Sequence, residues 1–457
     1  MSLDPLPGSP PPGDGDGACW TAPCAAVPVR ARIRPPGSKS MTNRALALAA
    51  LSQVPALVVG PLVARDTRLM AGALGALGCR VEPAPGGWQV TGGPCGGAPG
   101  EPGARGGAGA PDPGPQAQID VGNAGTVLRF VPPLAALTRA DVEFRGDPRI
   151  EQRPVAPLLA ALRRLGAVVE DGGTGRVPFV VRGRGRVRGG AVTIDASASS
   201  QLVSGLLLAA PAFDEGAEVR HCGPPVPSAP HIEMTVRMLR ACGVRVDAGQ
   251  AWRVLPGPVR AARIVIEPDL SNAVPFLAAA MATGGQVTVA GWPADSMQPA
   301  RQIIALLTAM GARVSHSPDG LVVTGPGRIA GITAHLGEVG ELTPVLTALA
   351  ALASSPSEFT GIGHLRRHES DRLAALAGEI GKLGGDVTEL ADGLRVRPRP
   401  LRADGAVFDS HDDHRLVMAA AVLGLVTPGL RVRNAAAVAK TFPDFSQAWT
   451  RALVPAG

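Results

Sequence analysis

The 457-residue sequence contains no tyrosine, and all its aromatic residues together make up only 3% of the chain. Few aromatic residues interrupt its basic ones, so the net charge of +6 does not indicate a surface that binds single-stranded nucleic acid. Apolar runs stay well short of the roughly 18 residues of a membrane-spanning helix, and residues 1–25 lack the pattern of a signal peptide. We therefore expect a cytoplasmic protein that binds neither nucleic acid nor membranes and whose partners are anionic small molecules.

The cysteines are few and scattered. They stand at positions 19, 24, 79, 95, 222 and 242, with no Cys-x-x-Cys pair and no His/Cys spacing typical of zinc. This pattern predicts neither a metal site nor a disulfide framework, and it suits the reduced thiols of a cytosol.

Hydrophobic residues, mostly alanine, valine and leucine, make up 45% of the chain, a composition that suits closely packed α/β layers. One cassette recurs, with an amphipathic helix, a turn of small residues and a short strand. Its central glycines are Gly78, Gly166, Gly243, Gly311 and Gly384. Their spacing of roughly 75 residues is too long for a solenoid, so it predicts subdomains grouped into two lobes. Each glycine is expected to end its helix in a left-handed conformation.

Two segments are rich in glycine and proline. Residues 1–25 are expected to form a disordered N-terminal extension, and residues 92–115 a low-complexity surface loop.

Pro36–Arg44 gathers anion-binding groups at the start of an apolar helix. Gly37 permits a close turn, Ser38 is a candidate N-cap, and Ser40 and Arg44 share one helix face. The free N–H groups of a first helical turn favour a bound phosphate or carboxylate. The second glycine of a nucleotide P-loop is missing, so the segment predicts a different anion site.

Further motifs stand at the boundaries of other predicted elements. They are Gly122-Asn123-Ala124-Gly125-Thr126, Gln152-Arg153-Pro154, Ser199-Ser200-Gln201, Glu369-Ser370-Asp371-Arg372, Asp413-His414-Arg415 and Lys440-Thr441-Phe442-Pro443-Asp444. Each is compatible with an ordinary cap or a solvated loop when taken alone. In order and spacing, from about residue 26 to the C-terminus, they resemble the enolpyruvyl transferases, and among these the family that acts on shikimate 3-phosphate.

The resemblance implies an α/β fold, a two-lobed inside-out barrel in which each lobe holds three βαβαββ units with pseudo-threefold symmetry. Lobe I would comprise residues 26–36 and 266–457, and lobe II residues 37–265. The implied reaction transfers the enolpyruvyl group of phosphoenolpyruvate to the 5-hydroxyl of shikimate 3-phosphate and releases phosphate, on the route to chorismate and the aromatic amino acids. A monomer without cofactor or metal is expected, and so is inhibition by glyphosate beside Gly125.

The resemblance also assigns site residues. Those for shikimate 3-phosphate are Lys39, Ser40, Arg44, Ser199, Ser200, Gln201, Ser228, Glu341 and His368. Those for phosphoenolpyruvate are Lys39, Gly125, Arg153, Gln201, Arg372, Arg415 and Lys440. The implied catalytic residues are Glu341 as base, Glu369 as acid and Lys39, which would help to move protons and stabilise charge.

The sequence departs from the family pattern at several positions. The base position holds Glu341 in place of aspartate, and Glu338 is a rival for the role. Histidines replace a tyrosine at position 231, an asparagine at 364 and a lysine at 368. Imidazole titrates near neutrality, so His368 is expected to make the charge of the site depend on pH.

Three alternatives remain at this stage. One is the sister transferase acting on UDP-N-acetylglucosamine, which has a loop cysteine and a Lys-Asn pair that this sequence lacks. Another is a non-catalytic homologue that binds phosphometabolites. The third is an RNA-end-modifying relative, whose nucleotide-carrying histidine motif is missing.

Overall fold

The computed structural model describes residues 19–93 and 117–454. Residues 1–18 of the predicted N-terminal extension and nearly all of the predicted loop at 92–115 therefore lie outside the described residues. Within the described ranges, no helix is both long enough and apolar enough to cross a membrane.

Helices and strands alternate along the chain. The helices of the described residues are α1 (Lys39–Ala50), α2 (Arg65–Ala76), α3 (Gly125–Ala135), α4 (Ala156–Arg164), α5 (Gln201–Ala209), α6 (Pro230–Ala241), α7 (Leu270–Thr283), α8 (Ala300–Ala309), α9 (Thr343–Ala351), α10 (Arg372–Lys382), α11 (His414–Gly424) and α12 (Phe445–Leu453). Short 3₁₀ helices span Ile150–Gln152, Ala210–Ala212, Gly340–Leu342, Gly363–Arg367 and Ala435–Lys440.

The strands that the structure describes form six sheets. Those of the first half are β1 (Cys19–Thr21), β2 (Arg30–Ile33), β3 (Ala56–Val59), β4 (Arg80–Ala84), β5 (Gly87–Thr91), β6 (Ala117–Asp120), β7 (Asp141–Arg145), β8 (Val168–Glu170), β9 (Phe179–Arg182), β10 (Gly190–Ile194), β11 (Ala217–His221), β12 (Val246–Ala248) and β13 (Trp252–Val254). Those of the second half are β14 (Arg263–Val265), β15 (Gln286–Ala290), β16 (Arg313–Ser317), β17 (Gly320–Thr324), β18 (Thr333–His335), β19 (Ser357–Thr360), β20 (Asp386–Leu390), β21 (Gly393–Arg397), β22 (Val407–Asp409) and β23 (Arg431–Arg433).

The helices are of two kinds that alternate. Helices α1, α3, α5, α7, α9 and α11 are buried on nearly all sides. The helices between them each bury one face only, as α4 and α10 do. A helix enclosed on every side needs small side chains so that its neighbours can approach, which explains the alanine-rich composition. The fold is thus inside out, with helices at the centre and sheets around them.

Five of the six sheets share one arrangement, in which a parallel pair is extended by two antiparallel strands. Their strand orders are β14-β3-β5-β4, β6-β7-β9-β8, β10-β11-β13-β12, β16-β17-β15-β2 and β18-β19-β21-β20. The five glycines of the repeated cassette all have positive φ, from 80° at Gly243 to 105° at Gly311, and each follows an amphipathic helix. The predicted repeat and its left-handed glycine turns are confirmed.

The sixth sheet is three-stranded, and the N-terminal segment completes it. Strand β1 pairs antiparallel with β23, and β22 pairs parallel with β23. The expectation that all of residues 1–25 are disordered is therefore wrong for Cys19–Thr21. Backbone pairing holds this strand in place, with Trp20 opposite Val432. Because the strand is short and of mixed polarity, the sequence gives little indication that it forms.

The described residues form two hydrophobic cores. One runs from Met41 to Ile266, and the other joins Ala22 and Val29 to residues between Leu270 and Ala452. Strand β2 pairs with β15 of the second region, and β14 pairs with β3 of the first, so two strands cross between the regions. We propose that the lobe boundaries expected from the sequence, 26–36 with 266–457 and 37–265, follow these two cores.

Candidate active site

The N-terminal ends of several helices meet at one cleft between the two regions. The first residues of these helices, or residues just before them, line it. These are Lys39 of α1, Gln201 of α5, Asp269 before α7, Glu341 before α9, Arg372 of α10, and His414 and Arg415 of α11. Helix N-termini carry free N–H groups and partial positive charge, so their convergence favours bound anions.

Helix α1 presents the first sequence motif to this cleft. Ser38 caps the helix, its hydroxyl accepting a 3.4 Å hydrogen bond from the Met41 N–H, and Lys39 and Ser40 line the cleft wall. The Lys39 ammonium lies 3.3 Å from the carboxylate of Asp66 on α2. Burial lowers the pKa of Lys39, while Asp66 partly opposes this effect. The motif thus supplies a partly buried lysine to the lining of the cleft.

Arg44 does not reach the cleft wall. Its side chain is fully buried, with Nε donating to Thr235 at 2.7 Å and Nη1 donating to the Ser40 carbonyl at 2.9 Å. The guanidinium also lies 5.1 Å from the centre of the Phe130 ring. The family resemblance assigned Arg44 to shikimate 3-phosphate together with Ser40, with which it shares a helix face. In the structure it holds the backbone of Ser40 and supports the wall from behind.

A cluster of cations surrounds Glu369. Its carboxylate lies 3.1 Å from Arg372, 3.2 Å from Lys440 and 3.9 Å from Arg153. Burial alone would raise the pKa of Glu369, but Lys440, Arg153 and Arg372 together hold it well below its usual range. The cluster binds one carboxylate here and has the charge to bind more anionic groups.

Arg372 is fixed by a second, fully buried carboxylate. Asp413 accepts hydrogen bonds from Arg372 Nε at 2.8 Å and Nη2 at 3.2 Å. The same side chain caps α11 by accepting a 2.9 Å bond from the Arg415 N–H. Arg415 in turn donates to Ser271 at 2.7 Å. Asp413 therefore determines where two arginines of the cleft lie.

Gly125 lies where the chain passes closest to this cluster. A Cβ added there would lie 2.6 Å from Nη2 of Arg153 and 2.7 Å from Nη1 of Arg129. The glycine therefore lets both guanidinium groups stay in place, and any side chain would displace them.

Glu341 lies in the cleft without close cations. Among the described residues its ion-pair contact within 4 Å is with His231, whose Nε2 is 3.9 Å away, and Arg415 acts on it from further off. Burial raises the pKa of Glu341. Its rival Glu338 is exposed outside the cleft, where it accepts a 3.4 Å hydrogen bond from Gln302. Of the two candidates, the structure brings Glu341 to the site.

Three histidines line the part of the cleft around Glu341. Burial lowers the pKa of His231 to about 3 and also lowers that of His364. Burial and Arg372 hold the pKa of His368 well below 6.5. The expectation that His368 makes the site titrate near neutrality is therefore wrong, because a buried imidazole beside an arginine stays neutral.

Hydroxyl and amide groups line the remaining wall. Ser199, Ser200 and Gln201 stand at the start of α5, and Ser228 crosses from one region to the other by donating its N–H to the Gly337 carbonyl at 2.8 Å. Arg129 donates to Gln201 Oε1 at 2.9 Å, which leaves the NH₂ of that amide as the group available to a ligand. These donors suit phosphate and sugar-type hydroxyls.

Comparison with known proteins shows the family of the chain. A family model described as EPSP synthase (3-phosphoshikimate 1-carboxyvinyltransferase) matches residues 24–449. The chain belongs to the EPSP synthase family. Its enzyme class is 3-phosphoshikimate 1-carboxyvinyltransferase, which transfers the enolpyruvyl group of phosphoenolpyruvate to shikimate 3-phosphate in the shikimate pathway.

Solved structures give the same result for the fold. EPSP synthase from Acinetobacter baumannii is 25% identical, with a TM-score of 0.75 over 94% of this chain and 97% of that one. The enolpyruvyl transferase NikO from Streptomyces tendae is 16% identical, with a TM-score of 0.69 over 94% and 96% of the two chains, and this likeness concerns the fold alone. The predicted α/β fold class is confirmed.

The structure brings nearly all of the residues singled out in the sequence to one place. Those lining the cleft are Lys39, Ser40, Arg153, Ser199, Ser200, Gln201, Ser228, Glu341, His368, Glu369, Arg372 and Arg415. Lys440 and Gly125 adjoin it through Glu369 and Arg153, and only Arg44 lies behind the wall.

Two acidic residues of the site were missed in the sequence. Asp269 caps α7, accepts a hydrogen bond from the Lys39 N–H at 3.3 Å and lines the cleft. Asp66, in the first turn of α2, is 3.3 Å from Lys39 and 3.9 Å from Lys440. The sequence signal for Asp269 is its position just before the apolar run of α7. An aspartate at this position is equally typical of an ordinary helix N-cap, so the signal does not indicate a functional site.

Proposed function

We propose that this cleft is where the enolpyruvyl transfer takes place, with the two substrates divided between its two kinds of wall. The observation that carries the proposal is the pair of carboxylates, Glu341 and Glu369, in opposite electrostatic surroundings within one cleft. A reaction that removes one proton and adds another needs two groups whose environments separate their pKa values.

Shikimate 3-phosphate would occupy the wall of serines and histidines. Ser199, Ser200 and Ser228 offer hydroxyl donors for its phosphate, and Gln201 presents an NH₂ group that Arg129 orients. Its ring would lie near Glu341 and His368, with Lys39 and Ser40 at the boundary between the substrates. We assign Arg44 a positioning role behind Ser40.

Phosphoenolpyruvate would occupy the cation cluster. Arg153, Arg372, Arg415 and Lys440 provide charge for its phosphate and carboxylate, and Gly125 leaves the room they need. Arginine matches both anions with two parallel hydrogen bonds, so the cluster also fixes the orientation of the reacting carbon.

The two glutamates would divide the proton transfers. In the addition step Glu341, whose environment favours accepting a proton, takes the proton of the attacking 5-hydroxyl, and Glu369 protonates the methylene carbon of phosphoenolpyruvate. In the elimination step Glu369 takes a proton back from the resulting methyl group while the C–O bond to phosphate breaks, and phosphate leaves with the proton held by Glu341. In the substrate-free cleft the cations favour ionised Glu369. Phosphoenolpyruvate brings its own anions to those cations, so its binding raises the pKa of Glu369 and makes it a competent acid. Lys39 stabilises the charge that develops between them.

A phosphate-release assay tests the function directly. Phosphate should appear only when shikimate 3-phosphate and phosphoenolpyruvate are both present, and the Glu369→Gln variant reports any contaminating phosphatase. Equal turnover with UDP-N-acetylglucosamine as acceptor would contradict the assignment. Binding of both substrates without phosphate release would instead support a non-catalytic homologue.

Glyphosate inhibition is part of the same proposal. The inhibitor carries a phosphonate and a carboxylate, so it should compete with phosphoenolpyruvate for the cluster beside Gly125. Full activity at millimolar glyphosate would contradict this assignment of the cluster.

We also propose that the enzyme acts as a cytoplasmic monomer. Cys19, Cys24, Cys222 and Cys242 are free thiols, as suits a reducing compartment. Light scattering on the purified protein would detect a dimer and so refute the monomer.

A further inference from the structure

The turn that leads into Asp413 has an unusual backbone. His411 and Asp412 have φ values of 49° and 55°, so two consecutive residues with side chains adopt the left-handed conformation that glycine usually occupies. Such strain persists only where the surrounding structure holds the backbone in place, and it is often found at functional sites. The contacts of this turn therefore indicate what fixes the residues that follow it.

One buried side chain outside the cleft holds the turn. Glu379 of α10 is 3% exposed, and its Oε2 accepts a 2.8 Å hydrogen bond from the Asp409 N–H. Its Oε1 lies 2.9 Å from His411 Nε2. The Lys382 ammonium, which is half-exposed, also donates to both oxygens at 2.7 and 2.8 Å. The carboxylate thus connects helix α10 to the beginning of the strained turn.

Helix α10 holds the end of the same turn as well. Arg372, its first residue, binds Asp413 at 2.8 Å, and Arg372 and Glu379 lie seven residues apart, hence on one face of the helix. The segment from Asp409 to Asp413 is therefore attached to α10 at both ends, by a carboxylate at one end and a guanidinium at the other. The N–H of Arg415 is bonded to Asp413 as well.

We propose that Glu379 is a positioning residue for the phosphoenolpyruvate pocket. By holding the turn that ends in Asp413, which bonds to both Arg372 and Arg415, it fixes the spacing between these two arginines. Glu379 does not line the cleft and contacts no residue assigned to a substrate. The inference rests on the proposed assignment of the two arginines to phosphoenolpyruvate. It adds a residue that acts on them from two turns further along the same face of α10.

Steady-state kinetics of Glu379→Ala test the proposal. Because a displacement of about 1 Å in a binding group can cost up to ~100-fold, we expect the KM for phosphoenolpyruvate to rise roughly 10- to 100-fold. The KM for shikimate 3-phosphate should stay within about twofold, since its serine wall does not contact this turn. Lys382→Ala is the matched control: it removes a partner of the same carboxylate but leaves the turn bonded, so both KM values should remain at the wild-type level.

The conservative variant Glu379→Gln keeps one acceptor oxygen for the turn and should raise the KM for phosphoenolpyruvate by a smaller factor. It also decides the matter if Glu379→Ala fails to fold. If Glu379 had a purely structural role, its variants would have a lower melting temperature, with the two KM values either unchanged or raised by the same factor. Either result overturns the proposal. A Lys382→Ala variant that behaves like Glu379→Ala overturns it as well. If the proposed function itself fails, the wild-type enzyme will release no phosphate with both substrates present.

Discussion

Glu341 and Glu369 line one cleft, and desolvation acts on the pKa of both in the same direction, yet their pKa values shift oppositely. The difference comes from their neighbours. Glu369 has three cationic side chains within 4 Å, whereas the nearest titratable partner of Glu341 is a histidine that burial keeps neutral. Charge placed around a carboxylate, more than its depth, therefore decides its protonation state in this enzyme.

The contrast also separates the two walls of the cleft. The wall around Glu369 is rich in cations suited to anions, and these cations hold the carboxylate of Glu369. The wall around Glu341 is rich in hydroxyl and imidazole groups, and the charges that act on Glu341, Arg415 and Arg372 against Asp269, partly offset one another. A site divided in this way can hold an anionic donor beside a hydroxyl-bearing acceptor and still keep a basic carboxylate near the hydroxyl.

Removing either carboxylate should have the largest effect. Glu341→Gln and Glu369→Gln should each lose about 10²- to 10⁴-fold in kcat, roughly 3 to 5 kcal/mol of barrier, because each removes a positioned base or acid. Changes in KM should be smaller, since the anion-binding groups remain. Glu338→Gln is the matched control and should keep wild-type turnover. The reverse pattern, with Glu338→Gln inactive and Glu341→Gln active, would show that the base lies outside the cleft described here.

Truncating the arginines around Glu369 should act mainly on phosphoenolpyruvate. Arg153→Ala and Arg372→Ala should each raise its KM by about 100-fold, since each removes a charged donor to the substrate. Arg372→Ala should in addition destabilise the fold by about 3 to 5 kcal/mol, because it leaves Asp413 buried without its partner. Denaturant unfolding separates the two variants. Equal stability would mean that Asp413 is compensated by another group.

The pH dependence of stability should differ in sign between the two glutamates. The pKa of Glu369 is lowered in the folded state, so its charge stabilises the fold above the unfolded-state pKa of about 4.3. Glu369→Gln should therefore be less stable than wild type at pH 7, with the difference shrinking as pH falls.

The pKa of Glu341 is raised, so the ionised form costs stability as pH rises through the folded-state value. Glu341→Gln should therefore be more stable than wild type at pH 7, with the difference again vanishing at low pH. Urea unfolding at several pH values measures both differences. Shifts of the same sign in the two variants would contradict the opposite environments.

The smallest effect concerns His368. Because burial and Arg372 keep its imidazole neutral, the profile of kcat/KM between about pH 6 and 8 should show no limb that belongs to this residue. His368→Gln should leave the shape of the profile unchanged in that range. Loss of an existing limb in the variant would show that the imidazole titrates in the working enzyme.

Much of the fold could be predicted from the sequence because its repeated unit carries a local signal. A glycine such as Gly243 ends an amphipathic helix with a positive φ, which glycine adopts at little cost. This pattern is local, so it can be recognised without knowing the tertiary contacts. Strand β1 has no such signal. It is ordered by pairing with Arg431–Arg433, more than 400 residues away in the sequence, and no local pattern encodes that contact.

The candidate site shows the same limit. Motif order predicted which residues meet in the cleft, but burial decides what they do there. Arg44 shares a helix face with Ser40, as predicted, but Thr235, Ser204 and the His231 carbonyl enclose its guanidinium. A free imidazole has a pKa of about 6.5, so the sequence alone predicts that His368 titrates in the physiological range. In the structure, desolvation and the neighbouring Arg372 lower this pKa and keep the imidazole uncharged.

The most direct test of the opposite environments is a ¹³C NMR titration of the glutamate side-chain carboxyls, with the two resonances assigned by Glu341→Gln and Glu369→Gln. In the free enzyme Glu341 should titrate above the usual glutamate value of about 4.3 and Glu369 well below it. With phosphoenolpyruvate bound, the pKa of Glu369 should rise, and the pKa of Glu341 should stay above the usual glutamate value. Equal pKa values in the free enzyme, or a Glu369 pKa that does not respond to phosphoenolpyruvate, would contradict the proposed division of proton transfer.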